Sequence, residues 1–186
     1  MVRSLGDPAL LDESAFQLHP MRLNLAEVLD DIVLRFAHRA AHQGVALRCV
    51  PDGDAPVVAE VDVELFERAV ANVLDNALKH TPAGAAVTLQ AVRSGLLVQV
   101  TVADQGRGIA AVDLPQLFDR LYQARRSVAP ASSDEGKGLG LGLGLAIFKR
   151  IVKRIVKRIV ELHRGTVAVA SAPGQGTTVT ISLPAA

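Results

Sequence analysis

The sequence predicts an α+β domain built on one sheet that helices cover on one face. Three observations carry this. Two segments repeat apolar residues at three- and four-residue steps, and several short apolar runs are separated by glycine-bearing turns. The chain also has 186 residues with 49% hydrophobic and 21% charged side chains, enough for a packed core and unlike a disordered segment.

Residues 1–22 read as a lead-in, since the first twenty mix Pro, Gly, Asp and Ser without a sustained period, and the domain proper spans 23–186. From Leu23, the positions Leu25, Val28, Leu29, Ile32, Val33, Phe36 and Ala40 form one helical stripe that Gly44 ends. Val45–Val50 and Pro56–Val61 read as two short strands around Asp52-Gly53-Asp54. A second helix runs from the N-cap Asp62 to about His80, before Pro82. Ala85–Arg93 and Leu96–Ala103 then form a hairpin turning at Ser94-Gly95. Residues 104–137 are irregular apart from a helical piece near Leu114–Leu121. A glycine-rich run opens a long basic helix ending near His163, and strands Thr166–Ser171 and Thr177–Leu183 close the chain.

Composition narrows the function classes. Twenty basic and nineteen acidic residues leave a net charge of +1, and the single cysteine, Cys49, excludes an internal disulfide framework. With no signal peptide in view, the expected compartment is the cytoplasm. Aromatics are 3%, with one Tyr and no Trp, which argues against a base-stacking nucleic-acid platform. No window approaches the ~18 unbroken apolar residues of a membrane span.

Three motifs bear chemistry. On the second helix, Asn72, Asn76 and Lys79 lie within ~60° of each other, opposite the stripe of Phe66, Val70, Val73, Leu74, Ala77 and Leu78. Carboxamide oxygens suit a hard cation such as Mg²⁺ and a lysine suits phosphate, although a merely solvated face reads the same way. Asp104-Gln105-Gly106-Arg107-Gly108 follows a strand. Its glycines let a backbone approach a ligand, its carboxylate can accept from an exocyclic amine, and a plain turn is the alternative. The run from Glu135 to Ala146, with glycines at 136, 138, 140, 142 and 144, leads into a helix N-terminus, an anion cradle that matches neither the P-loop nor the dinucleotide pattern.

In order and spacing these segments resemble the catalytic, ATP-binding domain of bacterial sensor histidine kinases, in the GHKL ATPase superfamily. Asn72–His80 (NVLDNALKH) is similar to the N box and Asp104–Gly108 (DQGRG) to the first G box. Leu117–Tyr122 (LFDRLY) is similar to the F box, Gly136–Ala146 to the second G box and Pro173–Thr178 (PGQGTT) to the closing strand motif. The resemblance implies a two-layer α/β sandwich of the Bergerat type, a mixed sheet with helices on one face, binding ATP and Mg²⁺. It implies that Asp104 binds the adenine amino group, with Gly106 and Gly108 shaping that pocket. Asn76 would ligate Mg²⁺, and Asn72, Lys79 and Arg120 would lie near the phosphates. His80 would border the nucleotide, Phe118 would anchor a lid over residues 123–137, and Gly138, Leu139, Gly140, Gly142 and Gly144 would form the phosphate loop. Thr177 would lie near the base.

Superfamily members that hydrolyse ATP commonly carry a glutamate where Asn72 stands, and a carboxamide cannot act as general base. This favours transfer of the γ-phosphoryl to a protein acceptor. The implied partners are a histidine-bearing dimerisation segment and a response regulator, with no nucleic acid. None of the five histidines (19, 38, 42, 80, 163) lies in a His-Glu/Asp-Leu-Arg context, so the acceptor is expected on a segment outside this chain, with residues 1–20 as its tail. The parent protein would reach the inner membrane through a sensor region.

One departure from the family is pronounced. Gly-Leu occurs four times over 138–145 and Lys-Arg-Ile-Val three times over 149–160, where the family has fewer copies of each. The repeats create a basic amphipathic helix next to the phosphate loop. Two alternatives therefore stay open. One is a repeat-expanded variant impaired in nucleotide binding that acts through partner or membrane contacts. The other is an anti-sigma-factor-type serine kinase.

Overall fold

A computed structural model describes residues 18–51, 53, 55–109 and 154–186. The element order is β1 (Met21–Asn24), α1 (Leu25–His42), β2 (Ala46–Val50), β3 (Val58–Val61), α2 (Val63–His80), β4 (Ala86–Ser94) and β5 (Leu97–Asp104). A helix whose described part covers 154–162 (α3) is followed by β6 (Thr166–Ser171) and β7 (Thr177–Pro184).

The main sheet has five strands in the order β2-β4-β5-β7-β6, with β2 parallel to β4 and every other neighbour antiparallel. Alternation sets its two faces. Val87, Leu89 and Ala91 of β4 and Val98, Val100 and Val102 of β5 are buried, while the residues between them are partly exposed. Against the buried face lie Leu25, Leu29 and Ile32 of α1 and Phe66, Val70, Leu74 and Leu78 of α2, in one continuous core. Val156, Ile159 and Val160 of α3 complete it. The mixed sheet covered on one face is as the sequence predicts.

The helix ends have identifiable causes. Asp62 Oδ1 accepts from the Leu65 backbone N–H and caps α2. Asn24 caps α1 by accepting from Ala26. At its other end, Gly44 takes a left-handed φ of 68° and the Val45 N–H returns to the Ala40 carbonyl, the hydrogen-bonding of a glycine-terminated helix.

Two features differ from the expectation. Strand β1 occupies Met21–Asn24, so the first helix starts at Leu25, and two residues of the strand fall within the stretch read as lead-in. This strand pairs antiparallel with β3 as a separate two-stranded ribbon, so the described residues form two sheets. The segments around Asp52-Gly53-Asp54 accordingly belong to different sheets. The ribbon joins the domain through a bridge between Ala59 and Ala185 and a bond from Ala186 N to the Val58 carbonyl. The helical piece near 114–121 and residues 123–137 lie outside the described residues.

Candidate functional site

Strand alternation brings Asp104 to the site. Val98, Val100 and Val102 face the core and are at most 2% exposed, and Asp104 continues the same face at the last residue of β5. There the register sets it opposite Thr177, the first residue of β7. Its Oδ1 accepts from the backbone N–H of Gly106 (2.8 Å) and of Thr177 (3.1 Å). Two donors on one oxygen fix the orientation of the carboxylate.

The turns around this carboxylate need glycine. A Cβ on Gly106 would stand 2.5 Å from the His80 carbonyl oxygen and 2.8 Å from Asp104 Oδ1, so only a bare backbone lets the loop lie against the end of α2. Gly176 has φ +79°, and a Cβ there would overlap the Asp104 carbonyl oxygen.

Across from this strand end, α2 supplies the other wall. Asn76 and His80, one turn apart, line a small cleft with Asp104, Arg107, Gly108, Ile109 and Thr177. The helix places a carboxamide opposite the carboxylate because its buried stripe, including Val73, Leu74, Ala77 and Leu78, turns the other side toward the cleft. Of the residues singled out from sequence, the structure thus brings together Asn76, His80, Asp104, Gly108 and Thr177, with Gly106 packed beneath.

Asn72 is half-buried one turn before Asn76 and lies outside that lining. The Lys79 ammonium sits 2.5 Å from Asp75 Oδ2, one helical turn back. Asp75 also receives the Arg39 guanidinium from α1. Burial raises the Asp75 pKa, but the hydrogen bonds and charges of Lys79 and Arg39 outweigh it and hold the carboxyl below its ordinary value. Phe118, Arg120, Gly138, Leu139, Gly140, Gly142 and Gly144 lie outside the described residues.

Four participants were not singled out from sequence: Arg107, Ile109, Ser171 and Gly176. Ser171, at the end of β6, ties the walls together. Its Oγ accepts from Ile109 N (2.8 Å), donates to the Gly176 carbonyl (2.7 Å) and lies 2.9 Å from Thr177 Oγ1. One hydroxyl thereby links the loop after β5 to the β6–β7 turn. A serine at a strand end carries no periodic signal, whereas Arg107 and Gly176 lay inside motifs already marked and were open to notice. Among the described residues there is no group of three or more His, Cys, Asp or Glu that could hold a metal. Among them, too, no helix is long and apolar enough to cross a membrane.

Comparison with known proteins identifies the family. The family described as "Histidine kinase-, DNA gyrase B-, and HSP90-like ATPase" matches residues 61–186, which include both walls of the cleft. Sensor histidine kinase CusS of Escherichia coli (strain K12) is 40% identical over 163 residues, 88% of this chain and 30% of CusS. The chain spans less than half the length of the curated relatives it matches. Among solved structures, the mycobacterial sensor histidine kinase MprB is 27% identical with a TM-score of 0.62, covering 89% of this chain and 97% of that one. Full-length ShkA in complex with AMPPNP shares the fold, with a TM-score of 0.69 at 24% identity, over 93% of this chain and 32% of ShkA. The chain belongs to the histidine kinase-, DNA gyrase B- and HSP90-like ATPase family, and its similar relatives are sensor histidine kinases.

Proposed function

We propose that the chain is the catalytic module of a sensor histidine kinase: it binds Mg²⁺·ATP in the cleft and passes the γ-phosphoryl to a histidine on a separate dimerisation segment. A response regulator aspartate would then take the phosphoryl group, and the parent protein would work at the cytoplasmic face of the inner membrane. The observation that carries the reading is the Asp104 carboxylate, fixed by two backbone N–H groups at a strand end and facing Asn76 across the cleft.

The residues present fit both groups. For the base, Asp104 offers an anionic acceptor at an apolar sheet end, suited to an exocyclic amine and wrong for a carbonyl. The glycine backbone at 106 and 108 keeps side chains out of the same corner. AMPPNP, held by the structural neighbour ShkA, is an analogue of ATP. For the metal, Asn76 contributes one neutral oxygen. Mg²⁺ needs no more from a protein when phosphates and water complete its shell.

In phosphoryl transfer the metal neutralises charge on the phosphate oxygens. The chain's own part is positional. Asp104 and Thr177 fix one end of the ligand, Asn76 and Asn72 set the other against α2, and the absence of a carboxylate at position 72 withholds a base from water. In the transfer, an imidazole nitrogen of the acceptor bonds to the γ-phosphorus as the bond to the β,γ-bridging oxygen breaks, ADP keeps that electron pair, and the imidazole N–H proton is lost to solvent.

The test mixes the chain with γ-labelled ATP, Mg²⁺ and a histidine-bearing dimerisation segment from a similar kinase. The expected result is acid-labile, base-stable label on that segment, none on the chain incubated alone, and none with the Asn76→Ala variant. Label on the chain's own serine or threonine residues would favour the serine-kinase alternative and overturn the proposal.

A further inference from the structure

The N-box helix carries a charge arrangement that its nucleotide face does not require. Asp75 lies one residue from Asn76, on the side of α2 turned toward α1, and its two oxygens are divided between two cations. Oδ1 takes Arg39 Nη1 from α1, and Oδ2 takes Lys79 Nζ at 2.5 Å. All three side chains are partly open to solvent, 40% for each cation and 27% for Asp75. A second α1–α2 pair, Arg35 with Glu67 at 3.0 Å, lies one turn earlier on α1 and two turns earlier on α2.

Lys79 stands between two cleft-lining positions, three residues after Asn76 and one before His80. Any polyphosphate drawing on this ammonium must compete with Asp75. That competition is set by what else Asp75 holds. Alone, the carboxylate would keep Lys79 as its main counter-ion. With Arg39 on the same group, two cations share one negative charge and repel each other, so the lysine is held less tightly while the carboxylate stays paired when the lysine leaves. Arginine suits the anchoring role because its charge is permanent and its fork is rigid, and lysine suits the mobile one because its stem is flexible.

We propose that Arg39 is a positioning residue for the polyphosphate end of the site: by retaining Asp75 it releases Lys79 toward a nucleotide's β- and γ-phosphates. This rests on the reading of the cleft as an ATP site. A role as structural cement between α1 and α2 would instead affect every ligand equally. The proposed role is specific to the anionic tail and leaves the base end at Asp104 untouched.

The experiment measures the affinities of adenosine and ADP, with Mg²⁺, for the full chain and for Arg39→Met, Arg39→Lys and Arg35→Met. Arg39→Met is expected to weaken ADP by roughly two- to fivefold, the scale of a partly exposed ion pair, and to leave adenosine unchanged. The loss should shrink as salt is raised. Arg39→Lys should restore most of it. Arg35→Met, which breaks the neighbouring pair, should leave the ADP-to-adenosine ratio alone. Equal weakening of both ligands, or the same ratio change in Arg35→Met, would overturn the proposal while the ATP reading stands. Absence of ADP binding by the unmodified chain would overturn the site reading and this proposal with it.

Discussion

Replacing Asp104 by Asn separates the structural role of this residue from the recognition role proposed for it. Asn keeps one carbonyl oxygen, which can still accept from Gly106 N and Thr177 N, now held at 2.8 and 3.1 Å. A bond to a charged acceptor contributes about 1.5–3 kcal/mol and a neutral one about 0.5–1.5, so each of the two weakens by about 1 kcal/mol and folding loses about 2 kcal/mol. For a domain of this size that lowers the melting temperature by about 4–8 °C and leaves the fold intact. At the ligand, an NH₂ group now stands where a carboxylate oxygen would meet the adenine amine, and two donors confront each other. Loss of a charge-assisted bond and an unpaired donor cost about 2–4 kcal/mol, a thirty- to thousandfold loss of ATP affinity. Inosine triphosphate differs at that point by carrying a carbonyl, which the Asn NH₂ can satisfy. The expected outcome by calorimetry is that the unmodified chain prefers ATP and Asp104→Asn reverses or erases the preference. An Asp104→Asn protein that melts within the stated range and still prefers ATP would refute the placement of the base.

Three other outcomes follow from the packing and charges. His163 is buried, accepts from Asp62 N at Nε2 (2.9 Å) and so carries its proton on Nδ1, which donates to the Ile159 carbonyl (2.7 Å). Hence His163→Ala should cost about 3 kcal/mol in denaturant unfolding, and a loss under about 1 kcal/mol would mean the link between α3 and α2 is dispensable. Val156, Ile159 and Val160 of α3 are buried in the core, so Ile159→Ala should cost about 2–5 kcal/mol in denaturant unfolding, whereas a loss under about 1 kcal/mol would take α3 out of the core. Burial raises the pKa values of Asp75 and Asp62, but Lys79 and Arg39 hold Asp75 below its ordinary value of 3.8, and the backbone N–H groups of His19 and Leu65 hold Asp62 below it too. Both contribute stability that is full above the unfolded value and disappears as pH falls through the folded ones, so acid unfolding should begin near pH 4 and Asp75→Asn should flatten it; an unchanged profile would remove Asp75 from that balance.

How much of this was legible beforehand depends on whether a feature is local. Helix α2 was, because Asp62, the apolar stripe and Pro82 are all within one segment. Asp104 was marked by the Asp-x-Gly-x-Gly that follows a strand, whereas its place as the last residue of β5, on the helix-covered face, came from the fold. Strand β1 was not: four residues after Pro20 hold no period, and they become a strand only through pairing with Val58–Val61, more than thirty residues away. For the same reason Val45–Val50 and Pro56–Val61 looked like neighbours, although the first pairs parallel with β4 across the intervening α2. Lys79 was assigned from its helical angle beside Asn76, and angle alone does not reveal that Asp75 and Arg39 compete for it. Ser171 was hidden because a hydroxyl that bridges Ile109, Gly176 and Thr177 depends wholly on the fold.

The central claim is that the cleft between α2 and the end of β5 holds Mg²⁺·ATP. Titrating ATP into the full chain by calorimetry, with Mg²⁺ and then with EDTA, tests it directly alongside Asn76→Ala. The account predicts saturable one-to-one binding that Asn76→Ala weakens at least tenfold in Mg²⁺ and far less in EDTA. Binding that is indifferent to both the metal and Asn76, or no binding at all, would contradict it.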